Sequence, residues 1–301
     1  MTLSSLHGCP APAKLNLFLH VNGRRADGYH LLQTVFQLLD HGDVLDFDLR
    51  ADGAIRRLTE VPGVPEEQDL IVRALRLLQQ AHVARHGSAP PGVDVAIKKI
   101  LPMGGGLGGG SSDAATALMA VNAMWGSGLS REALMALALP LGADIPFFIF
   151  GENAFAEGVG EAMQPVATAN CWYVVIEPGV AVPTAAIFSS DRLTRNTKPV
   201  RIADFSRHLS SRTDMSEFGE NDLQAVATHL FAPVAEAVNW LKQFGDARMT
   251  GSGACVFCAF SSEREADLVV SQIPPVWTAW KAKSLAIHPL KAVLQEAGVI
   301  E

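Results

Sequence analysis

Nine residues in the first half of the chain have the types and spacing that bind phosphate. Residues 104–112 read Gly-Gly-Gly-Leu-Gly-Gly-Gly-Ser-Ser, and an alanine-rich segment of helical pattern, 113–125, follows directly. Glycine loses more conformational freedom on folding than any other residue, so six in nine positions are costly unless the backbone must approach a ligand closely. The N–H groups of such a loop and of a following helix N-terminus attract anions. We predict a phosphate-binding loop. The alternative, glycines that serve only a tight turn, would need two or three of them.

Two better-known phosphate motifs do not describe this loop. Its G-x-G-x-x-G spacing satisfies the dinucleotide fingerprint, which expects an acidic residue about 20 positions later, after a second strand. That distance falls in residues 126–132, where the acidic residue Glu132 lies in the first turn of a predicted helix. The Walker A motif requires a lysine after its last glycine, and a serine stands there instead. A phosphate-binding loop without a lysine of its own remains.

A lysine and an aspartate far apart in the chain are candidates for a charged pair. Lys14 and Asn16 lie two residues apart in an alternating segment, so they share one face of a strand. That face is either a solvated edge or part of a site. Asp144 precedes Ile-Pro-Phe-Phe, a favourable helix N-cap with proline in the first turn. A carboxylate in so apolar a run has few partners, and such carboxylates cluster at functional sites. Lys14 is the partner we predict, if the two meet.

Two shorter motifs each have two interpretations. Residues 27–30, Asp-Gly-Tyr-His, read as a turn before a strand. The tyrosine and histidine would also suit stacking on a planar base and hydrogen bonding to its edge. Cys255 and Cys258 form a single CxxC within strand-like alternation, so we expect core cysteines rather than zinc ligands or a redox pair. We assign no protein-bound metal.

Composition limits the class of protein. The chain has 301 residues, 49% of them apolar and 18% charged, which suits a globular protein of two ordinary domains. A net charge of −7 argues against general nucleic-acid binding. Residues 1–12 lack the pattern of a signal peptide, and polar and proline residues interrupt the most apolar window, 133–151. Four scattered cysteines favour a reducing compartment. We therefore predict a cytoplasmic protein without a membrane span.

The predicted elements place these motifs at strand ends and helix starts. In the first half we predict strands over 13–21, 31–39, 44–49 and 93–100, with a turn at 40–43, and helices over 69–82, 113–125 and 130–139. In the second half we predict strands over 171–177 and 248–260, the latter containing a turn at 250–253. A short helix is expected over 183–189, and one or two helices over 221–244, with Pro233 marking a start or break. Residues 198–215 are polar and weakly patterned.

Five motifs together resemble one family of small-molecule kinases. They are Pro-Ala-Lys-Leu-Asn-Leu at 12–17, Arg-Ala-Asp-Gly-Tyr-His at 25–30, the glycine loop with its Leu-Pro-Met lead at 101–112, Leu-Gly-Ala-Asp-Ile-Pro at 141–146 and Thr-Gly-Ser-Gly-Ala-Cys at 250–255. In this order they resemble the 4-diphosphocytidyl-2-C-methyl-D-erythritol kinases of the GHMP kinase superfamily. The glycine-serine loop marks the superfamily, and the segments at 27–30 and 142–146 are more specific to this member.

The resemblance implies a fold and an activity. The fold would be a two-domain α/β (α+β) GHMP-kinase fold, with an N-terminal domain similar to domain 2 of ribosomal protein S5 and a C-terminal α/β substrate domain. We place the ATP-binding domain at 1–155 and the substrate domain at 156–301, and we expect the last residues of the second to pack back on the first. The activity would be ATP-dependent phosphorylation of the 2-hydroxyl of the methylerythritol moiety, in the non-mevalonate route to isoprenoid precursors. Mg²⁺ would be carried by the phosphates, and the protein would be a monomer or weak homodimer.

The resemblance also implies roles for single residues. Asp144 would be the catalytic base and Lys14 its charged partner. Substrate would be bound by Asn16, Thr184 near the diphosphate or sugar, a cytosine sandwich of Tyr29 and Phe188, and His30 at the cytosine edge. ATP would contact Lys99, Pro102, Met103, Gly104, Gly105, Gly106, Leu107, Gly108, Gly109, Gly110, Ser111 and Ser112.

One residue departs from the family pattern, and two other functions remain open. Asp69 stands where the family usually has asparagine on the adenine side, so the amide donors are lost there. A different GHMP kinase is a second interpretation, although Tyr29, His30 and Phe188 suit a base-bearing substrate. A sensor that binds ATP or sugar without turnover is a third, although both Lys14 and Asp144 are present.

Overall fold

Two long antiparallel strands, β1 (Ser5–Arg24) and β2 (His30–Arg50), form the centre of the first half of the fold. The computed structural model describes residues 3–211 and 218–299. Both faces of β1 are buried between residues 11 and 21, whereas its alternating pattern predicts only one buried face. The first strand, which pairs only with β2 in the sheet, is therefore covered on both faces, and the polar side chains on it are enclosed.

Eight further strands, ten α-helices and two short 3₁₀ helices (Glu66–Gln68 and Leu139–Leu141) lie in the described residues. The strands are β3 (Ile55–Arg57), β4 (Gly92–Lys98), β5 (Ala154–Glu157), β6 (Ala162–Pro165), β7 (Trp172–Glu177), β8 (Arg248–Met249), β9 (Val256–Phe260) and β10 (Thr278–Leu285). The helices are α1 (Leu70–His86), α2 (Gly109–Met124), α3 (Arg131–Ala138), α4 (Ile145–Phe150), α5 (Thr184–Ser189), α6 (Ile202–Ser211), α7 (Gln224–Leu230), α8 (Ala232–Leu241), α9 (Glu263–Val270) and α10 (Leu290–Glu296). None of the helices in 3–211 and 218–299 is both long and apolar enough to cross a membrane.

One mixed sheet connects the two halves of the chain. Its strand order is β3-β4-β2-β10-β7-β9-β8, with β1 and β5 also paired to β2 and β6 paired to β5. β10 joins the halves, because it pairs with β7 over residues 278–283 and with β2 through residues 284 and 285. Helices cover this sheet in both halves, and the predicted α/β class is confirmed.

Three apolar cores hold the layers together. The first lies between the N-terminal strands and helices α1–α4, and it includes Leu290 and Leu294 of α10. The second lies between β7, β9 and helices α7 and α8. The third combines β1 residues such as Leu15 with Tyr173 of β7 and Phe257 of β9. The halves therefore share a continuous interior, and the C-terminal helix packs on the first half.

Two sequence-based predictions of elements are wrong. The turn at 40–43 does not form, because β2 continues through it; a Cβ at Gly42 would lie 2.2 Å from the carbonyl oxygen of Ala11, so this glycine serves close strand packing. The helix predicted from residue 113 begins at Gly109, inside the glycine run. The sequence predicts no element in the weakly patterned segment 198–215, in which residues 202–211 form α6. Residues 212–215 of that segment lie outside the described residues.

Other boundaries follow their local signals. Ser130 accepts a hydrogen bond from the N–H of Ala133 and caps α3, as predicted. The segment 221–244 forms two helices that are interrupted at Phe231, two residues before Pro233. Strands β8 and β9 flank the predicted turn at 250–253.

His288, just before α10, makes the docking of that helix sensitive to acid. Its imidazole is buried, its Nδ1 accepts from the N–H of Leu290 at 3.2 Å, and burial lowers its pKa to about 3. The unfolded chain takes up a proton near pH 6.5 and the folded chain does not, so this residue lowers the free energy of unfolding as the pH falls from about 6.5 towards 3. The expected slope is about 1.4 kcal/mol per pH unit.

We expect His288→Asn to flatten this dependence, because an asparagine oxygen can accept from Leu290 and does not titrate. Urea unfolding of both proteins between pH 7 and 4 measures it. The difference in free energy of unfolding should move in favour of the variant as the pH falls. A constant difference across that range would show that His288 titrates normally.

Candidate active site

Lys14 lies at the centre of the site, inside the protein. Its side chain is 3% exposed, and its Nζ donates to Asn16 Oδ1 at 2.6 Å and lies 3.5 Å from Asp144 Oδ2. Asn16 is buried as well and donates through Nδ2 to Thr34 Oγ1 at 2.9 Å. The solvated-edge interpretation of these two residues is therefore wrong, and the predicted pairing of Lys14 with Asp144 is formed.

Asp144 is held at the start of α4 without capping that helix. It occupies the N-cap position and Pro146 lies in the first turn, but its carboxylate accepts no backbone N–H there. The side chain is 37% exposed, so it is not the buried carboxylate that the apolar run predicts. A carboxylate that faces solvent beside a buried ammonium is free to accept a proton from a bound hydroxyl.

The glycine loop presents unused N–H groups at the start of α2. Ser112 is the first residue of the helix to bond backwards, to the carbonyl of Gly108 at 2.8 Å. Within the described part of the chain, the N–H groups of Gly109, Gly110 and Ser111 donate to no other group. Gly104, Gly106 and Gly108 have φ of 71°, 80° and 75°, which L-residues rarely adopt. The loop and helix start can therefore bind phosphate oxygens.

Some of these glycines also serve close packing, which sequence reasoning assigned to the ligand alone. A Cβ at Gly106 would lie 2.2 Å from the carbonyl oxygen of Thr250, and one at Gly105 would lie 2.7 Å from Cys255 Sγ. The Thr250 hydroxyl lies 3.3 Å from the Gly106 carbonyl and accepts from the N–H of Asn16 at 3.0 Å. Thr250 thus joins β1, the loop and the second half. Its motif was visible in the sequence, but its role was not.

Lys99 reaches the loop but is held by two carboxylates. Its Nζ lies 2.6 Å from Asp43 Oδ2 and 2.7 Å from Asp113 Oδ2. Asp43 also accepts the N–H groups of the two residues that follow Lys99. Burial raises the pKa of Asp113 to about 8, and the nearby lysine only partly opposes it. Asp43, which pairs with Lys99 and accepts from two backbone N–H groups, therefore supplies most of the counter-charge to the lysine before any nucleotide binds.

A single cleft of about 600 Å³ contains both the loop and the charged pair. Its walls combine residues 102–111 with Lys14, Asn16 and Asp144, and with Thr184 and Phe188 from the second half. A separate part of the wall is apolar and comes from Val61, Val64, Leu70, Ile71 and Ile97, with Asp69 among them. The cleft therefore has room for a phosphate chain between an acceptor side and an apolar slot.

The aromatic residues predicted to hold a base are only partly assembled. The ring of Phe188 stacks on that of His30, with centroids 4.9 Å apart, and His30 Nε2 accepts from Arg195 Nε at 3.3 Å. Burial, Arg195 and Arg24 lower the pKa of His30, so its imidazole is neutral at pH 7. Tyr29 is 66% exposed, and neither Tyr29 nor His30 is part of the cleft wall, which of these three contains only Phe188. Thr184 Oγ1 lies 2.7 Å from Ser252 Oγ, a cleft residue that sequence reasoning missed.

Some predicted residues lie elsewhere or have other partners. Ser112 is fully buried inside α2 and is not part of the cleft wall. The four cysteines are buried free thiols, as expected for core residues, and burial raises the pKa of Cys258 to about 12. His82 and His86 have a spacing compatible with metal binding, but both imidazoles bond to Ser127. Residues 3–211 and 218–299 contain no group of three acidic, histidine or cysteine side chains placed to hold a metal.

Comparison with known proteins places the chain among kinases. The family model of the GHMP kinases N terminal domain matches residues 69–152, and that of the GHMP kinases C terminal domain matches residues 203–277. A protein of Janthinobacterium sp. strain Marseille named 4-diphosphocytidyl-2-C-methyl-D-erythritol kinase is 63% identical over 99% of this chain and 100% of its own. One of the same name from Azoarcus sp. strain BH72 is 60% identical over 98% of this chain and 100% of its own.

Solved structures give the same result for the fold. The crystal structure of a 4-(cytidine 5'-diphospho)-2C-methyl-D-erythritol kinase superposes with a TM-score of 0.78 at 31% identity, and covers 91% of this chain and 98% of its own. Homoserine kinase from Cytophaga hutchinsonii superposes with a TM-score of 0.66 at 14% identity, over 96% of each chain. The second likeness concerns the fold alone.

Proposed function

The chain belongs to the 4-diphosphocytidyl-2-C-methyl-D-erythritol kinases of the GHMP kinase family, and we propose that its cleft carries out that reaction. The γ-phosphoryl group of ATP passes to the 2-hydroxyl of 4-diphosphocytidyl-2-C-methyl-D-erythritol, giving the 2-phosphate and ADP. This step belongs to the non-mevalonate route to isoprenoid precursors. The observation that supports this assignment most is the pair of Lys14 and Asp144, 3.5 Å apart in the same cleft as the glycine loop.

Asp144 and Lys14 divide the chemistry on the acceptor side. The hydroxyl oxygen forms a bond to the γ-phosphorus while its proton moves to Asp144, and the bond from the γ-phosphorus to the bridging oxygen breaks to release ADP. Lys14 places a positive charge where the hydroxyl becomes negative. Asn16 holds the lysine in that position through its 2.6 Å hydrogen bond. A positioned base of this kind contributes about 10²–10⁴-fold to the rate.

The loop and the start of α2 act on the donor side. Phosphoryl transfer asks the protein mainly for positioning and charge stabilisation. The N–H groups of Gly109, Gly110 and Ser111 fit the phosphate oxygens, because they have no other acceptor among the described residues. Mg²⁺ bound to the phosphates would neutralise part of their charge. The compensated charge of Lys99 makes the backbone, rather than this lysine, the main anion-binding group.

The stacked pair of His30 and Phe188 provides a surface for the cytosine. His30 Nε2 accepts from Arg195, so Nδ1 carries the proton and can donate to the base edge. Tyr29 is exposed nearby in the chain and can cover the second face of the base. A base between aromatic rings gains about 1–3 kcal/mol.

Phe188→Ala should therefore raise KM for the cytidine substrate about 5- to 150-fold. KM for ATP should stay within about twofold, because the groups assigned to ATP, the glycine loop and the start of α2, belong to other elements. Phe188→Tyr, which keeps the ring, is the matched control and should behave like the unaltered protein. Steady-state kinetics with each substrate varied in turn gives both values. An unchanged KM for the cytidine substrate in Phe188→Ala would remove Phe188 from the base site.

An ADP-release assay with four acceptors tests the proposed function. The cytidine-diphosphate methylerythritol is compared with homoserine, mevalonate and galactose, each at the same concentration with ATP and Mg²⁺. Release of ADP with the first alone is the expected result. Turnover with one of the other three only would identify a different GHMP kinase. ATP binding without ADP release for any acceptor would favour a sensor. We further infer that the protein acts in the cytoplasm, where ATP is available, and that it is a monomer or weak dimer.

A further inference from the structure

Two threonine hydroxyls hold Asn16, and the direction of each hydrogen bond is determined. A threonine hydroxyl has a single proton to donate. Thr34 of β2 donates that proton to the carbonyl of Phe18, so it accepts from Asn16 Nδ2 at 2.9 Å. Thr250 donates its proton to the carbonyl of Gly106 at 3.3 Å and accepts from the N–H of Asn16 at 3.0 Å. Thr34 therefore acts on the side chain of Asn16, whereas Thr250 acts on its backbone.

The contact with Thr34 decides which end of the Asn16 amide faces the lysine. Because Nδ2 is directed at Thr34, Oδ1 faces Lys14 and accepts from Nζ at 2.6 Å. Among the residues that the structure describes, Lys14 Nζ donates a hydrogen bond to this oxygen alone. A reversed amide would place an NH₂ donor against the ammonium and an oxygen against a hydroxyl whose proton is already used.

The remaining contacts of the buried ammonium are less directional. Asp144 Oδ2 lies 3.5 Å from Nζ, on a side chain that is partly exposed. The ring of Phe36, two residues after Thr34 in β2, has its centroid 5.4 Å from Nζ. A ring face attracts an ammonium but offers it no single acceptor atom. The position of Nζ between Asn16 and Asp144 therefore depends mainly on the amide oxygen.

We propose that Thr34 is a positioning residue for phosphoryl transfer, whose hydroxyl orients the Asn16 amide so that the amide oxygen holds the Lys14 ammonium beside Asp144. The proposal rests on the proposed function, in which Lys14 stabilises the acceptor hydroxyl as it becomes negative. Loss of the Thr34 hydroxyl leaves Asn16 Nδ2 without its acceptor in a buried site. A lysine held less firmly stabilises the transition state less, so the loss is expected in kcat rather than in KM.

Thr34→Val removes the hydroxyl and keeps the size of the side chain. Steady-state kinetics with ATP and the cytidine substrate should show kcat lowered at least about fivefold, with KM for both substrates within about twofold of the unaltered values. Thr34→Ser keeps the hydroxyl and should restore kcat to within about twofold. Thr116→Val is the matched control, because Thr116 is buried, donates to the carbonyl of Pro10 at 3.0 Å and is not part of the cleft wall. This control should lower the midpoint of thermal unfolding and leave kcat unchanged.

A double-mutant cycle separates action through Asn16 from a general disturbance of the cleft. Asn16→Ala should lower kcat, and Thr34→Val added to it should lower kcat by less than a further factor of about two, since no amide remains to be oriented.

Two results would overturn this proposal alone. One is an unchanged kcat in Thr34→Val, and the other is an equal loss from Thr34→Val with and without the Asn16 side chain. Thermal unfolding verifies that each variant is folded, and Thr34→Ala takes the place of the valine variant if the latter does not fold. If the unaltered protein formed no ADP with the cytidine substrate, the proposed function would be overturned with it.

Discussion

Asp144→Asn is expected to lower kcat by about 10²–10⁴-fold, equivalent to about 3–5 kcal/mol of barrier. The amide keeps the size of the side chain but cannot take the hydroxyl proton. Lys14 keeps its 2.6 Å hydrogen bond to Asn16, so the pocket should retain its shape. The dissociation constant for ATP should change by less than about twofold. Quenched-flow measurement of ADP formation, with calorimetry for ATP, separates the two quantities.

The structure indicates that Asp144→Asn leaves the backbone around the site unchanged. The Asp144 carboxylate caps no backbone N–H, so its loss should leave α4 intact. The buried Lys14 loses its counter-charge, so the midpoint of thermal unfolding should fall, and the measurement verifies that the variant is folded. Glu236→Gln on α8 removes one carboxylate outside the cleft wall and serves as the control for net charge. A kcat for Asp144→Asn within a few-fold of the unaltered value would mean that proton transfer does not depend on this residue.

Gly106→Ala is expected to lower kcat/KM for ATP at least about 100-fold, and Gly104→Ala by much less. Both residues have positive φ, so each alanine carries a strain of about 1–2 kcal/mol. Only the Cβ at 106 meets backbone, 2.2 Å from the Thr250 carbonyl oxygen, whereas nothing lies within 4 Å of one at 104. Relief of that contact must move the loop away from the turn at 250–253.

The two glycine variants together separate strain from packing. ATP titration and urea unfolding of each give binding and stability. We expect Gly106→Ala to lose both ATP affinity and free energy of unfolding. Gly104→Ala should lose only the free energy of unfolding that corresponds to the backbone strain. Equal losses in the two variants would mean that the contact with Thr250 does not hold the loop in place.

Features of the fold that depend on local sequence signals were predicted correctly, whereas features that depend on long-range contacts were not. The cap of Ser130 and the break before Pro233 depend on neighbours in sequence, and both are correct. The prediction of a turn at 40–43 is wrong because Gly42 is required by the close approach of β1, not by a turn. The local sequence contains no sign of that approach. The second half of the fold packs on the apolar face of β1, which contains Leu15 and Leu19, whereas Lys14 on the polar face lies against Asp144 of the first half.

The candidate site shows the same limit. The pairing of Lys14 with Asp144 could be predicted, because an aspartate in an apolar run has few possible partners and Lys14 is a cation in another of the family motifs. The ion pair of Arg57 with Asp69 could not be predicted, because Arg57 lies in a three-residue strand without a recognisable pattern. At position 69 the sequence showed only that an aspartate replaces the asparagine usual in the family. The double hold on Lys99 also depends on residues 56 and 14 positions away in sequence.

The most direct measurement is the ³¹P NMR spectrum of the product formed from ATP and the cytidine-diphosphate methylerythritol. Asp144 beside Lys14 is arranged to activate a hydroxyl, so a new phosphomonoester resonance should grow in step with ADP, while the diphosphate signals of the cytidine substrate remain. Loss of those diphosphate signals with formation of a triphosphate chain, or release of inorganic phosphate alone, would contradict transfer to an alcohol in this cleft.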